Sequence, residues 1–210
     1  MGDIPEPARE RLLRLMRLLE NHTLAGGAGP VTSAMAEDLT GVPRDTIRRD
    51  ISCLSVASGA EGIGSNAGYE PETLIPLIKR ALGLDRRRKF CVVGLGRLGS
   101  AYLNSPPELA EFELAAGFDT NVNRVEILRS PVPLYPAFKM AEVVSRFAVE
   151  LALLCVPAEA AQAAATQCVA AGVRGILNFA PVALKLPPEV AVRNVYVVDE
   201  LRSLTIKMKN

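Results

Sequence analysis

An apolar strand that runs straight into Gly-x-Gly-x-x-Gly and then into a helix is compatible with very few folds. Lys89-Phe90-Cys91-Val92-Val93 leads here into Gly94-Leu95-Gly96-Arg97-Leu98-Gly99. Each glycine has a physical task. Gly94 permits the tight turn, Gly96 admits a pyrophosphate against the backbone, and Gly99 lets helix and strand pack closely. The helix start adds N–H groups and the positive end of its dipole. Asp119 stands 20 positions after Gly99, at the end of the next strand pattern. An acid there can accept hydrogen bonds from an adenosine ribose and repels a 2′-phosphate, which favours NAD(H) over NADP(H). Arg124 lies close in sequence and could soften that preference. The same turn would also serve another nucleotide, such as a CoA-type ligand, or could be a glycine-rich turn that binds nothing.

The rest of residues 89–198 alternates strands and helices, as a parallel α/β domain requires. The pattern predicts strands at 90–94, 114–119, 132–135, 151–156, 175–179 and 195–198. Helices are expected at 100–103, 138–146 and 158–171, the last stopped by Gly172. Leu201, Leu204 and Met208 make a short apolar stripe at the end of the chain, suited to its own domain or to a partner subunit.

Residues 1–82 read as helical. Leu12, Leu15, Met16 and Leu19 recur at helical spacing, with Arg9, Arg14 and Arg17 largely outside the stripe. Thr32 or Ser33 can cap a short helix ending near Leu39. Thr40-Gly41-Val42 forms a turn, and Pro43 suits the start of a second helix. That helix turns Ile47, Ile51 and Leu54 inward and presents Arg44, Arg48 and Arg49 elsewhere. Two short helices joined by a glycine turn match a helix-turn-helix, whose arginines can contact DNA phosphates or guanine edges. Asp45 and Asp50 partly offset those arginines, so a solvated helix in an ordinary bundle is the alternative. The Gly/Ser/Ala-rich stretch 55–70 suits a β-hairpin wing, 71–82 another helix, and 85–89 a charged connector.

Charge narrows the partners. The 24 Lys+Arg and 23 Asp+Glu leave a net charge of +1. Residues 1–90 hold 13 basic and 12 acidic residues, so nucleic-acid binding requires a local patch. The four cysteines are widely spaced and read as small core hydrophobes. His22 is the sole histidine, so no metal site is expected. No apolar run is long enough to span a bilayer and no secretory signal is visible, which places the chain in the cytoplasm without a membrane partner. The α/β part contains no histidine. Lys185, Tyr196 and Asp199 form no recognisable acid–base constellation, so no catalytic residue is assigned and an enzyme is not expected.

The order of parts is specific. A winged-helix-like start, then CVVGLGRLGSAY, LLCVPAEAAQ and AAGVRGILNFAPVALKLPPEVAVRNV together resemble the Rex family of redox-sensing transcriptional repressors. The resemblance covers nearly the whole chain, and GILNFAP with its following Leu-Pro segment is the most distinctive stretch.

It implies an α/β chain in three parts. These are a winged-helix DNA-binding domain (1–84), a Rossmann NAD(H)-binding domain with a parallel sheet (85–198), and a C-terminal helix swapped onto the partner of a homodimer (199–210). It implies NADH and NAD as cofactors, double-stranded operator DNA as partner, and release from DNA when NADH binds. By resemblance, Gly94, Gly96, Arg97, Leu98 and Gly99 hold the phosphates and Asp119 the adenosine ribose. Val156, Pro157, Asn178, Phe179, Ala180 and Pro181 surround the nicotinamide. Arg48, Arg49 and Asp50 match the recognition helix, and Arg17 matches an arginine that couples the domains.

Three positions depart from the family pattern. Gly64-Ser65-Asn66-Ala67-Gly68-Tyr69 lacks the usual basic wing residue, Ser105 stands where a tyrosine is usual, and Tyr196 replaces an acid. These departures leave open a Rex-like paralogue with an altered or absent redox response. A small NAD-dependent oxidoreductase is a further alternative.

Overall fold

The computed structural model describes residues 4–60, 63, 67–104 and 111–208. The chain divides into two compact units, Met1–Arg86 and Arg87–Asn210.

The first unit is built on helices α1 (Glu6–Leu24), α2 (Ser33–Thr40), α3 (Arg44–Ser58) and α4 (Pro71–Ala81). The α1 stripe of Leu12, Leu15, Met16 and Leu19 is buried against Ile47, Ile51 and Leu54 of α3 and Leu74 and Ile78 of α4. Thr32 is the cap of α2, its hydroxyl accepting the Met35 amide at 3.2 Å. Gly41 ends α2 with φ 67°, a conformation that costs glycine nothing. Thr40 pins the turn: its hydroxyl donates to the Ala36 carbonyl at 2.6 Å and accepts the Val42 amide at 3.1 Å. The helix-turn-helix is therefore held by a buried threonine as well as by glycine.

The region assigned to a wing differs in part. Its first residues continue α3 to Ser58, which Gly59 terminates with φ 64°. Residues 61, 62 and 64–66 fall outside the described residues. The described end pairs elsewhere, because Tyr69 exchanges both backbone hydrogen bonds with Val31, at 2.8 and 2.9 Å. Gly68 is required there. Its φ is 122°, and a Cβ would stand 2.8 Å from the Val31 carbonyl oxygen.

The second unit is a six-stranded parallel sheet of order β3-β2-β1-β4-β5-β6. Its elements are β1 (Arg88–Val93), α5 (Arg97–Leu103), β2 (Phe112–Asp119), α6 (Val122–Ile127), β3 (Leu134–Pro136), α7 (Met140–Phe147), β4 (Leu151–Leu154), α8 (Ala158–Ala170), β5 (Gly175–Asn178), β6 (Ala191–Asn194) and α9 (Val197–Lys207). Near-continuous apolar strands suit a sheet covered on both faces. One cluster gathers Cys91, Val93, Phe118, Leu154 and α8 residues, and the other Phe90, Val92, Leu95 and Leu153. The strand order reverses between β1 and β4, where open α/β sheets hold ligands at the strands' carboxyl ends.

The last strand is displaced from its expected place. It spans Ala191–Asn194, not 195–198, and Val197 and Val198 open α9 instead. As an edge strand β6 pairs only with β5 and is mostly exposed, so it carries no apolar run. Asp199 and Glu200 fall in the first turn of α9, where acids complement the helix dipole. Helix α6 was not anticipated; Asn121 caps it by accepting the Arg124 amide at 3.2 Å.

Candidate functional site

The three glycines of the turn are needed for different reasons. Gly94 has φ 91°, and a Cβ there would lie 2.6 Å from the Cys155 carbonyl oxygen. At Gly99 a Cβ would come within 1.8 Å of the Gly94 carbonyl oxygen, so no side chain is compatible with this strand-to-helix packing. Gly96 is unlike both. Its φ is −68°, and a Cβ would meet nothing within 4 Å. Nothing inside the protein requires glycine there, and the space above it is open. A pyrophosphate brought against this backbone would fill that space, so the residues present fit a dinucleotide. Arg97 and Leu98 are exposed beside it at the start of α5.

Asp119 closes the same edge from β2. It is 5% exposed. Its Oδ2 accepts the Leu95 amide at 2.7 Å and Nη1 of Arg124 at 2.9 Å, and its Oδ1 accepts the Asn121 amide at 2.8 Å. Burial pushes its pKa up, but the Asn121 and Leu95 amides and Arg124 outweigh that, and the net shift is downward. The carboxylate thus ties the glycine turn to the end of β2. Oδ2 is spent on two donors, so Oδ1 is the atom with capacity for a ribose hydroxyl. Arg124 covers the carboxylate, a contact its sequence proximity only hinted at.

Val156, Pro157 and residues 178–181 sit at the carboxyl ends of β4 and β5. Val156 packs over Gly94, and a Cβ added there would be 2.7 Å from Val156 Cγ1. Pro157 is exposed and precedes α8. Phe179 is half-buried, its ring 5.5 Å from that of Tyr102. Ala180 is buried and Pro181 exposed.

Asn178 was expected to face a ligand, but it is completely buried. Its Nδ2 donates to the Val182 carbonyl and to Asn194 Oδ1, both at 2.9 Å, and its Oδ1 accepts the Ala180 amide at 3.0 Å. A side chain so engaged shapes the turn that follows β5. Tyr196 was missed as a member of this cluster: its hydroxyl donates to the same Val182 carbonyl at 2.6 Å. The other two polar residues weighed for chemistry stand apart. Asp199 is exposed and paired with Arg202 at 2.9 Å, and the Lys185 amide donates to Gln162 Oε1 at 2.9 Å.

In the first unit, Arg44, Arg48 and Arg49 are exposed on α3. Arg44 lies 3.9 Å from Glu37 and Arg48 3.7 Å from Asp45, exposed pairs of little energetic weight. Tyr69 lies against Arg48. Burial raises its pKa above 10.0, and the Arg48 charge opposes the rise. Asp50 does not offset the recognition arginines as expected; it turns inward to Arg11 of α1. Arg17 is exposed on α1, and Ser105 lies outside the described residues.

Burial pushes the Cys155 and Cys168 thiols up to about 12 and raises Cys91 well above its ordinary range. Such thiols behave as core hydrophobes, not as reactive groups. No helix among the described residues is long and apolar enough to cross a membrane.

Residues 85–182 match the family described as CoA binding domain. Across its length the chain is 38% identical over 208 residues to the redox-sensing transcriptional repressor Rex of Thermus thermophilus, covering 99% of this chain and 95% of that one. It belongs to the Rex family. The Rex repressor of Levilactobacillus brevis is 34% identical, with 96% of this chain and 92% of that one covered. Among solved structures, the Rex-family repressor RSP in complex with β-NAD+ and operator DNA superimposes with a TM-score of 0.84 at 27% identity, covering 99% of this chain and 94% of that one. RSP in complex with β-NADH gives 0.83 at 26% identity, covering 99% and 95%. The Rex relatives are named as transcriptional repressors, and the mixed α/β architecture with its parallel sheet is theirs.

Proposed function

We propose that this Rex-family chain is a cytoplasmic, homodimeric transcriptional repressor that binds operator DNA and responds to the NADH/NAD ratio, without catalysing a reaction. The observation that carries the cofactor half is Gly96, a glycine that neither its backbone angles nor its neighbours require, at the strand-order reversal of a parallel sheet. Gly94 and Gly99 build the turn around it. The amides of Arg97 and Leu98, at the start of α5, face the phosphates. Asp119 Oδ1 accepts a ribose hydroxyl. From β2 through β1 and β4 to β5 is three strand spacings, roughly 14 Å. A dinucleotide running along this edge places its second ring by Val156, Pro157 and the turn of Phe179, Ala180 and Pro181. When bound, the nicotinamide ring supplies only its oxidation state.

Arg44, Arg48 and Arg49 on α3 supply the DNA contacts, with a two-fold operator whose half-sites lie roughly 34 Å apart or a multiple of that. Helix α9 joins the subunits. It exposes Val197, Leu201, Leu204 and Ile206 to between 55% and 69%, an apolar surface that a helix of a single chain does not leave open to water.

Operator affinity is to be measured by fluorescence anisotropy at one salt concentration, with no cofactor, with NAD and with NADH. A coupling of about 1–3 kcal/mol corresponds to weakening by NADH of about 5–150-fold relative to NAD. Equal affinities would leave a DNA-binding protein without sensing. A protein that takes up neither dinucleotide nor duplex would remove the reading altogether.

A second reading, a Rex-like paralogue with an altered response, is favoured by Tyr196. It stands where the family pattern has an acid, and its hydroxyl is engaged with the protein's own backbone.

A further inference from the structure

We propose that Tyr196 is a positioning residue that latches helix α9 to the turn following β5, so that occupation of the cofactor edge is transmitted to α9. This rests on the dinucleotide reading above and adds a route from that edge to the subunit-joining helix.

The argument starts from the two ends of one residue. The Tyr196 hydroxyl donates to the Val182 carbonyl at 2.6 Å. The Tyr196 carbonyl accepts the amides of Asp199 and Glu200 at 3.0 and 3.2 Å, which are the first hydrogen bonds of α9. A phenol moves about only two side-chain torsions, so the ring acts as a stiff link between these ends.

The turn it grips is also braced from β5, β6 and α5. Asn178 donates to the same Val182 carbonyl, holds the Ala180 amide and reaches Asn194 at the end of β6. Phe179 leans on Tyr102 of α5, the helix that begins at the glycine turn. A ring pressed against residues 179–182 therefore has two outcomes. Either the Val182 carbonyl drags Tyr196 and the first turn of α9 with it, or the Tyr196 hydrogen bond breaks and α9 is released. Both change α9, whose described residues from Val197 to Met208 are exposed on the single chain and, on the reading above, pack against the partner subunit.

The test is hydrogen–deuterium exchange on the full-length protein, native and Tyr196→Phe, titrated with NADH. The variant keeps the ring and removes one hydroxyl. In the native protein, residues 179–183 and the first turn of α9 should change their exchange together, with one NADH midpoint. One neutral hydrogen bond corresponds to roughly a two- to twelvefold change in exchange at α9. In Tyr196→Phe, NADH should still protect residues 179–183, with its Kd within about twelvefold of native by the same hydrogen-bond scale, while the response of α9 is lost.

A variant whose α9 still responds to NADH as the native one does overturns the latch and leaves the cofactor reading standing. Separate NADH midpoints for the turn and α9 in the native protein do the same without any variant. A native protein in which NADH protects nothing overturns the cofactor reading and the latch with it.

Discussion

Arg11 of α1 and Asp50 of α3 meet in a two-pronged ion pair, Nε donating to Oδ2 at 2.6 Å and Nη2 to Oδ1 at 2.7 Å. The hydrogen bonds to Asp50 raise the Arg11 pKa. The partners are unequal: the Asp50 side chain is 8% exposed and that of Arg11 34%. Bidentate geometry of this kind fixes direction as well as energy, and it sets the helix carrying Arg44, Arg48 and Arg49 against α1. Removing Arg11 strands a buried carboxylate, whereas removing Asp50 leaves a guanidinium that can turn to water. Arg11→Ala should therefore destabilise the protein by about 2–3 kcal/mol, and Asp50→Ala by less, since hydrogen bonds to charged groups are worth roughly that much and an orphaned buried charge costs more. The chain has no tryptophan, so urea unfolding is to be followed by circular dichroism at pH 7. Equal losses in the two variants would mean that burial does not separate the partners.

The glycine turn allows folding and binding to be separated. At Gly96 a methyl group meets no atom within 4 Å and the backbone angles suit alanine. Gly96→Ala should keep the native melting temperature within a few degrees and lose dinucleotide binding at least tenfold, the equivalent of about 1.4 kcal/mol. Gly99→Ala places a methyl 1.8 Å from the Gly94 carbonyl oxygen, and should lose stability and binding together. Thermal melts paired with NADH titrations distinguish the two. A Gly96→Ala protein that binds NADH normally would take the pyrophosphate away from this turn.

That contrast shows why some of the site was legible in the sequence and some was not. Glycine is read directly, because its backbone freedom and lack of volume are properties of the residue itself. The same holds for the α1 stripe, where Leu12, Leu15, Met16 and Leu19 are spaced locally. The Arg11–Asp50 pair links positions 39 residues apart, and neither residue's neighbours announce it; Asp50 beside Arg49 reads as a surface charge until α1 is packed on α3. Asn178 reads as a ligand contact because it ends a strand at the ligand edge. Its three partners lie within the turn it begins and on β6, which itself carried no apolar signal. Tyr196 could be singled out as a departure from the family pattern, but its partner is a backbone carbonyl, and a carbonyl has no sequence signature. Three exposed residues of β6 around the half-buried Val192, with Val197 and Val198 following it, invert the usual strand pattern, which is why the pattern reads the strand four positions late.

Asp119 should give the protein a measurable dependence on acid. Its pKa is lowered in the folded state, so its contribution is present above the unfolded value of about 3.8 and is lost as pH falls through the lower folded value. Melting temperatures recorded from pH 3 to 7 should fall less steeply at the acid end for Asp119→Asn than for the native protein, and the variant should be less stable at pH 7. Asp119→Asn should also weaken NADH and narrow the preference for it over NADPH. Parallel acid limbs in the two proteins would mean that the Leu95, Asn121 and Arg124 contacts do not stabilise the charged carboxylate.

Arg49 offers the cleanest test of the nucleic-acid face. It is exposed on α3, whereas Arg44 and Arg48 each lie within 4 Å of an acid. A guanidinium that neutralises one phosphate releases its counterions, so deleting it should reduce the slope of log affinity against log salt by about 0.9. An arginine that instead grips a guanine edge should cost about 1–3 kcal/mol on the operator, with far less loss on unrelated duplex. Arg49→Ala should thus weaken operator binding while leaving the NADH Kd unchanged, because Arg49 and the glycine turn belong to different compact units of the chain. Anisotropy titrations at several salt concentrations, on operator and on scrambled duplex, separate the two roles. Unchanged affinity on both duplexes would remove Arg49 from the interface, and a matching loss of NADH binding would point to a folding defect instead.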